Sequence, residues 1–158
     1  LGGYADNPLA DAVRDRLGEI LAAKALLHDD LIVVSGLRLG AEMLGAEAAL
    51  AVGLPLVVVL PYLEPQKVWS AYAQHRFEVL VDKARDVITL QRKAPKSKQD
   101  AGAALARRDA WLARHAAEAV LVWDGRDATL RRLQRSLEDH LGEDVWVLDP
   151  TELLVAGP

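Results

Sequence analysis

Leu31-Ile32-Val33-Val34-Ser35-Gly36-Leu37-Arg38-Leu39-Gly40-Ala41-Glu42 opens the stretch that, read on to Leu60, decides the fold. Residues 31–34 form a short β-rich run that stops at Ser35-Gly36. Residues 39–52 are dominated by Ala, Leu, Glu and Gly and read as a close-packed helix with small residues on one side. Residues 56–60, Leu-Val-Val-Val-Leu, are the next strand, ended by Pro61. Strands that are apolar throughout, rather than at every second position, belong to a parallel sheet covered on both faces.

The alternation continues in both directions. Asp6-Asn7-Pro8 starts a helix, because an Asx side chain caps free N–H groups and proline tolerates the first turn. Leu9, Val13, Leu17, Ile20, Lys24 and Leu27 follow at helical spacing, with only Lys24 polar. Downstream, residues 66–84 read as one long helix with Trp69, Tyr72, Phe77, Leu80 and Val81 on its apolar side. Residues 87–90 read as a strand and 91–102 (QRKAPKSKQDAG) as a polar, basic loop. Helix is expected over 105–115 and 129–141, and strand over 119–123 and 145–148. No repeat or linker divides residues 1–158, so a single domain is expected. The expected fold class is α/β, a three-layer Rossmann-like fold with a mainly parallel sheet and helices on both faces. Leu1-Gly2-Gly3 stands where a first strand should end, and that strand is expected to be truncated at the N-terminus.

Composition narrows the function classes. Hydrophobic residues make up 51% of the 158, ample for one core and unlike a disordered chain. A net charge of −4 disfavours nucleic acid as a partner, since wrapping a phosphate backbone calls for a basic surplus. There is no cysteine, which excludes disulfides, thiolate nucleophiles and Cys-based metal sites and suits a reducing, cytoplasmic location. The longest apolar run, 54–60, contains Pro55 and falls far short of the roughly 18 residues that cross a bilayer, so no membrane partner is expected. His28, His75, His115 and His140 lie on different elements with no second ligand at metal spacing, so no metal is expected. No serine sits in a nucleophile elbow and no carboxylate pair shows acid/base logic, so no catalytic residue is assigned.

Right-handed crossovers place every strand-to-helix loop on one edge of a parallel sheet, where open α/β folds bind ligands. Four loops fall there: Gly2-Gly3-Tyr4, residues 35–42, residues 61–65, and Asp124 to Thr129. In the second, Gly36 and Gly40 allow close backbone approach, Ser35 adds a hydroxyl, and the following helix offers unpaired N–H groups. The same glycines also fit a strand–turn–helix that needs them for its backbone alone. Glu42 suits either a ribose hydroxyl or the helix dipole. Tyr62 is the better base-stacking ring, whereas Trp69 is in register with Phe77 and Leu80 as core. Thr129 fits a helix cap or a phosphate contact. Arg131, Arg132 and Arg135 read as a solvated face, and Lys93, Lys96 and Lys98 as a mobile loop or an anion lid.

Taken in order, these residues resemble the SLOG superfamily, which includes the Smf/DprA proteins and the lonely-guy cytokinin-activating hydrolases, and its YpsA-like branch most of all. Gly3-Tyr4 is similar to the tail of a TG-[YH] element ending the first strand. Val34-Ser35-Gly36 through Gly40-Ala41-Glu42 matches an [IV]SG-x-x-x-G-x-[DE] motif. Pro61-Tyr62 with Gln66 and Trp69 is similar to P[FY]-x-x-[QE] with its downstream Trp, and Arg108-Asp109 stands where an R-[ND] pair opens a helix. The resemblance implies a nucleotide-binding domain whose site includes Gly3, Tyr4, Ser35, Gly36, Leu37, Gly40, Glu42, Pro61, Tyr62, Arg108, Asp109, Asp124, Gly125 and Thr129. It implies that Arg108 pairs with phosphate or with Glu42. The hydrolases carry PGGxGTxxE where residues 125–132 have lost the paired glycines and place Arg132 at the acid position. A positive charge there cannot serve as general base, so phosphoribohydrolase activity of that type is not expected.

The leading expectation is therefore a sensing or noncatalytic domain. It binds an adenine-nucleotide-like or ADP-ribose-like small molecule, with no resident cofactor beyond such a bound nucleotide. The alternatives are a hydrolase of an N-glycosidic or phosphate bond with Glu42 as its acid, a DprA-like single-strand DNA binder, and a purely structural or partner-binding domain. Trp111, Trp123 and Trp146 are many large rings for a small chain, and the resemblance adds a homodimer to the expectations.

Overall fold

A computed structural model describes residues 7–155 of the chain. Asn7 caps the first helix, α1 (Pro8–Leu27), by accepting the Ala10 N–H at 2.8 Å. The helix keeps Ala10, Val13 and Leu17 buried, but its last turn runs past the core and leaves Leu27 79% exposed, contrary to its place in the apolar stripe. Strand β1 (Val33–Ser35) leads into α2 (Ala41–Ala51) and then β2 (Leu56–Leu60). The chain continues through a 3₁₀ turn (Pro65–Val68), α3 (Ala71–Lys83) and β3 (Asp86–Thr89). Next come α4 (Lys98–His115), β4 (Ala119–Val122), α5 (Ala128–Leu141), β5 (Val145–Leu148) and α6 (Pro150–Val155).

The fold is mixed α/β, and all its strand pairs are parallel. One sheet has the order β1-β2-β3, with Val34 opposite Val57 and Val58 opposite Val87. The other pairs β4 with β5, Val120 opposite Trp146. Helix α2 serves two cores because its small residues let neighbours approach on both sides. Met43 and Ala46 join Leu37, Leu56, Val58, Leu60, Phe77 and Leu80 under the first sheet. Leu44 and Ala48 join Ala10, Val13 and Leu17 of α1, with Val120, Val122 and Leu148 of the second sheet packed against them. Glu47 of α2 accepts from Arg14 of α1 and Arg76 of α3, tying three helices together. No helix of the described residues is long and apolar enough to cross a membrane.

Strand β1 starts at Val33 rather than Leu31, and two further boundaries differ from the sequence reading for a capping reason. Residues 66–84 are not one helix: Ser70 takes an extended conformation and caps α3 by accepting the Ala73 N–H at 3.2 Å. Trp69 therefore precedes the helix and meets Phe77 edge-on, ring centroids 5.6 Å apart. The basic loop ends earlier than Gly102, because Ser97 accepts the Asp100 N–H while the Asp100 carboxylate accepts the Lys96 N–H. That reciprocal cap starts α4 at Lys98. Helix α6 was not foreseen. Among the tryptophans, Trp111 stacks on His115, Trp123 donates to Gln134 at 3.0 Å, and Trp146 is 52% exposed on β5.

Candidate functional site

The loop from β1 to α2 is held in one shape by its own short bonds. The Ser35 hydroxyl donates to the Glu42 carbonyl at 2.8 Å and accepts the Leu37 N–H at 3.1 Å. Leu37 sits at φ 56°, a left-handed conformation that costs a non-glycine residue about 1–2 kcal/mol. Its side chain is fully buried in the first core, which contributes about 1.5–3 kcal/mol and offsets the strain. Gly40, at φ 100°, needs its missing Cβ to start α2.

Arg108, just past the middle of α4, reaches beneath this loop and is only 2% exposed. Its guanidinium donates to the Gly36 carbonyl at 3.3 Å, to Glu42 Oε2 at 3.1 Å and to Asp109 Oδ1 at 2.8 Å. Burial by itself would lower the Arg108 pKa; the Glu42 and Asp109 carboxylates more than reverse this and hold it above the usual arginine value. Gly36 makes the approach feasible: a Cβ there would stand 2.2 Å from Arg108 Nη1 and 2.6 Å from Glu42 Oε1. Glu42 Oε1 is buried without a hydrogen-bond partner among the described residues, and so is Gln66 Oε1. One positive and two negative groups leave this cluster with a net charge of −1.

A cleft of about 120 Å³ opens beside the cluster at the carboxyl ends of β1 and β2. Pro61, Tyr62, Pro65, Val68, Trp69 and Leu105 supply apolar surface, while Gly36, Arg38 and Arg108 supply the polar side. Small-molecule pockets commonly run from about 300 to 1,000 Å³, so this cleft is small, with room for no more than about a single ring.

Gly36, Pro61, Tyr62 and Arg108 thus share one cleft, and Ser35, Leu37, Gly40, Glu42 and Asp109 shape the loop and ion cluster behind it. Gly3 and Tyr4 lie outside the described residues. The fourth loop belongs elsewhere. Gly125 lines a separate depression of about 310 Å³ with Trp123, Arg131, Gln134, Arg135 and Glu138. Asp124 accepts the Arg126 N–H in a local turn. Asp127, rather than Thr129, caps α5, accepting the N–H groups of Thr129 at 2.7 Å and Leu130 at 3.1 Å. Val68 and Leu105 are cleft residues outside the loops that the sequence places on the sheet edge, whereas Arg38 and Pro65 lie within those loops without being singled out as site residues. Arg38 alone carried a signal, a cation between two glycines in the loop after a strand.

No group of three or more His, Cys, Asp or Glu side chains suited to a metal occurs among the described residues. What the cleft can do chemically is grip a flat ring between Tyr62, Trp69 and the prolines while polar groups meet it from the loop after β1. Among known proteins, no family model and no curated sequence matches this chain.

Proposed function

We propose that this cleft binds a nucleotide-type small molecule in a noncatalytic or sensing role, as a SLOG-like domain with a three-layer, Rossmann-like arrangement would. The observation that carries the reading is convergence. Residues 36–38, 61–69 and 105–108, far apart in sequence, close on one cleft at the carboxyl ends of two parallel strands. That is where open parallel α/β sheets take ligands. A glycine whose Cβ would collide with a buried arginine marks the loop as built to a tight tolerance rather than merely turned. The enclosed volume suits a base or a ribose, with Tyr62 as the stacking ring. A hydrolytic role for Glu42 is not favoured, because one of its oxygens is committed to Arg108 and the other is sealed from solvent.

A thermal-shift screen against adenine nucleotides, nucleoside monophosphates and ADP-ribose tests the proposal. A ligand at a hundred times its dissociation constant adds about 2.7 kcal/mol to the folded state. In a domain of this size that raises the melting temperature by roughly 5–10 °C. Tyr62→Ala should abolish most of the shift. No shift with any of these compounds, or a shift that survives Tyr62→Ala intact, sinks the reading.

A further inference from the structure

We propose that Arg38 is the phosphate anchor of this cleft and that Arg108, which lines the same cavity, is not; the proposal rests on the nucleotide-binding reading above. The two arginines differ in what their donors are already doing. Arg108 is buried, and its guanidinium is engaged by Gly36, Glu42 and Asp109. A phosphate brought to it would meet two carboxylates on the same guanidinium, in surroundings where like charges repel more strongly than in water. Displacing either carboxylate would cost the cluster an ion pair beside Glu42 Oε1, which already lacks a partner.

Arg38 is the reverse case. Its side chain is exposed, and it makes no hydrogen bond or ion pair among the described residues. The planar fork of donors that matches a phosphate is therefore intact. Its backbone is nonetheless fixed. The Arg38 carbonyl accepts the Met43 N–H at 3.3 Å, and the preceding Leu37 is locked into the core. Recruiting this guanidinium breaks no existing hydrogen bond or ion pair, and its cost is the ordering of one side chain. The size of the cleft gives the ligand its polarity. With about 120 Å³ for a ring against Tyr62 and Trp69, the charged group must stay at the exposed margin, where Arg38 stands. Among the described residues no cation besides Arg38 and Arg108 lines this cleft: Arg131 and Arg135 line the separate depression, and Lys93, Lys96 and Lys98 border neither. The ligand class this selects is a phosphate monoester carried on a planar, ring-bearing body.

The test is calorimetric titration of adenosine and of adenosine 5′-monophosphate into the wild-type chain and into Arg38→Ala and Arg38→Lys. The wild type is expected to bind the monophosphate at least about tenfold tighter than the nucleoside, and added salt to shrink that advantage. Arg38→Ala is expected to erase the advantage while leaving adenosine affinity within about twofold and the melting temperature within about 2 °C. Arg38→Lys should restore part of it, as a point charge without the bidentate fork. If the monophosphate keeps its full advantage in Arg38→Ala, or has none in the wild type while adenosine binds, Arg38 is not the anchor although the nucleotide reading stands. If neither compound nor any other nucleotide binds the wild type, the nucleotide reading itself has failed and the anchor falls with it.

Discussion

The ends of β1 and β2 and the end of β4 carry the same kinds of residue, glycine and arginine beside an aromatic ring, and the fold uses them in opposite ways. At the first, a glycine is pressed against a buried guanidinium that two carboxylates hold, and the loop before α2 has a strained, fully buried leucine. At the second, Arg131 donates to the Gly125 carbonyl at the surface and Arg135 has no partner among the described residues. The helix there is capped by Asp127, which places a carboxylate where an incoming anion would have to sit. Burial separates a built site from a decorated surface. Residue type alone does not.

The sharpest way to break that contrast is to remove Arg108. Arg108→Ala leaves Glu42 and Asp109, a third and a fifth exposed, without their cation, and the cost approaches the roughly 3 kcal/mol of breaking a fully buried pair from one side. Urea unfolding should show this as a lower midpoint with an unchanged slope. Adding Glu42→Gln to that variant should recover part of the loss, because one uncompensated charge disappears. A cost below about 0.5 kcal/mol would mean that the cluster is as superficial as the arginines of α5.

Gly36→Ala comes next, at about 1–3 kcal/mol, the usual range for an atom forced into filled space. The penalty should be conditional. In the Arg108→Ala background the obstructing guanidinium is gone, and a double-mutant cycle should return a coupling of about 1 kcal/mol or more. Gly40→Ala, by contrast, forces a side chain into a backbone region that favours glycine, at about 1–3 kcal/mol, and should show no coupling to Arg108. If both glycines behave alike, Gly36 is a turn residue and the close approach means nothing.

The sequence disclosed the βαβ unit over 31–60 and the loops around it because those signals are local: apolar runs, a proline stop, glycines at fixed offsets. Asn7 was readable for the same reason, since a cap acts within four residues. What it hid was either competitive or long-range. The Ser97–Asp100 cap lay inside a segment whose lysines and proline suggested loop, and two hydrogen bonds outweighed that composition. The break at Ser70 was masked by apolar residues that keep helical spacing across it. The pairing of Arg108 with Gly36 and Glu42 spans some seventy positions, and no local pattern marks an arginine as buried; only the resemblance suggested Glu42 as its partner. The division of the three described loops between two depressions was likewise invisible, because strand order is set by packing that α2 mediates between two cores.

The smallest expected effect is the most informative about the second region. Arg131 and Arg135 are exposed on α5, and the one hydrogen bond that Arg131 makes to Gly125 is at the surface. Exposed groups of this kind contribute within about ±0.5 kcal/mol, so the double variant Arg131→Ala, Arg135→Ala should unfold at nearly the wild-type urea midpoint. It should also bind any nucleotide found for the first cleft with unchanged affinity, since neither side chain borders that cleft. A loss of affinity of tenfold or more would show that a ligand bridges both depressions. The two rims would then be halves of one extended site, and the contrast between buried and exposed arginines would describe its two ends rather than a site and its surroundings.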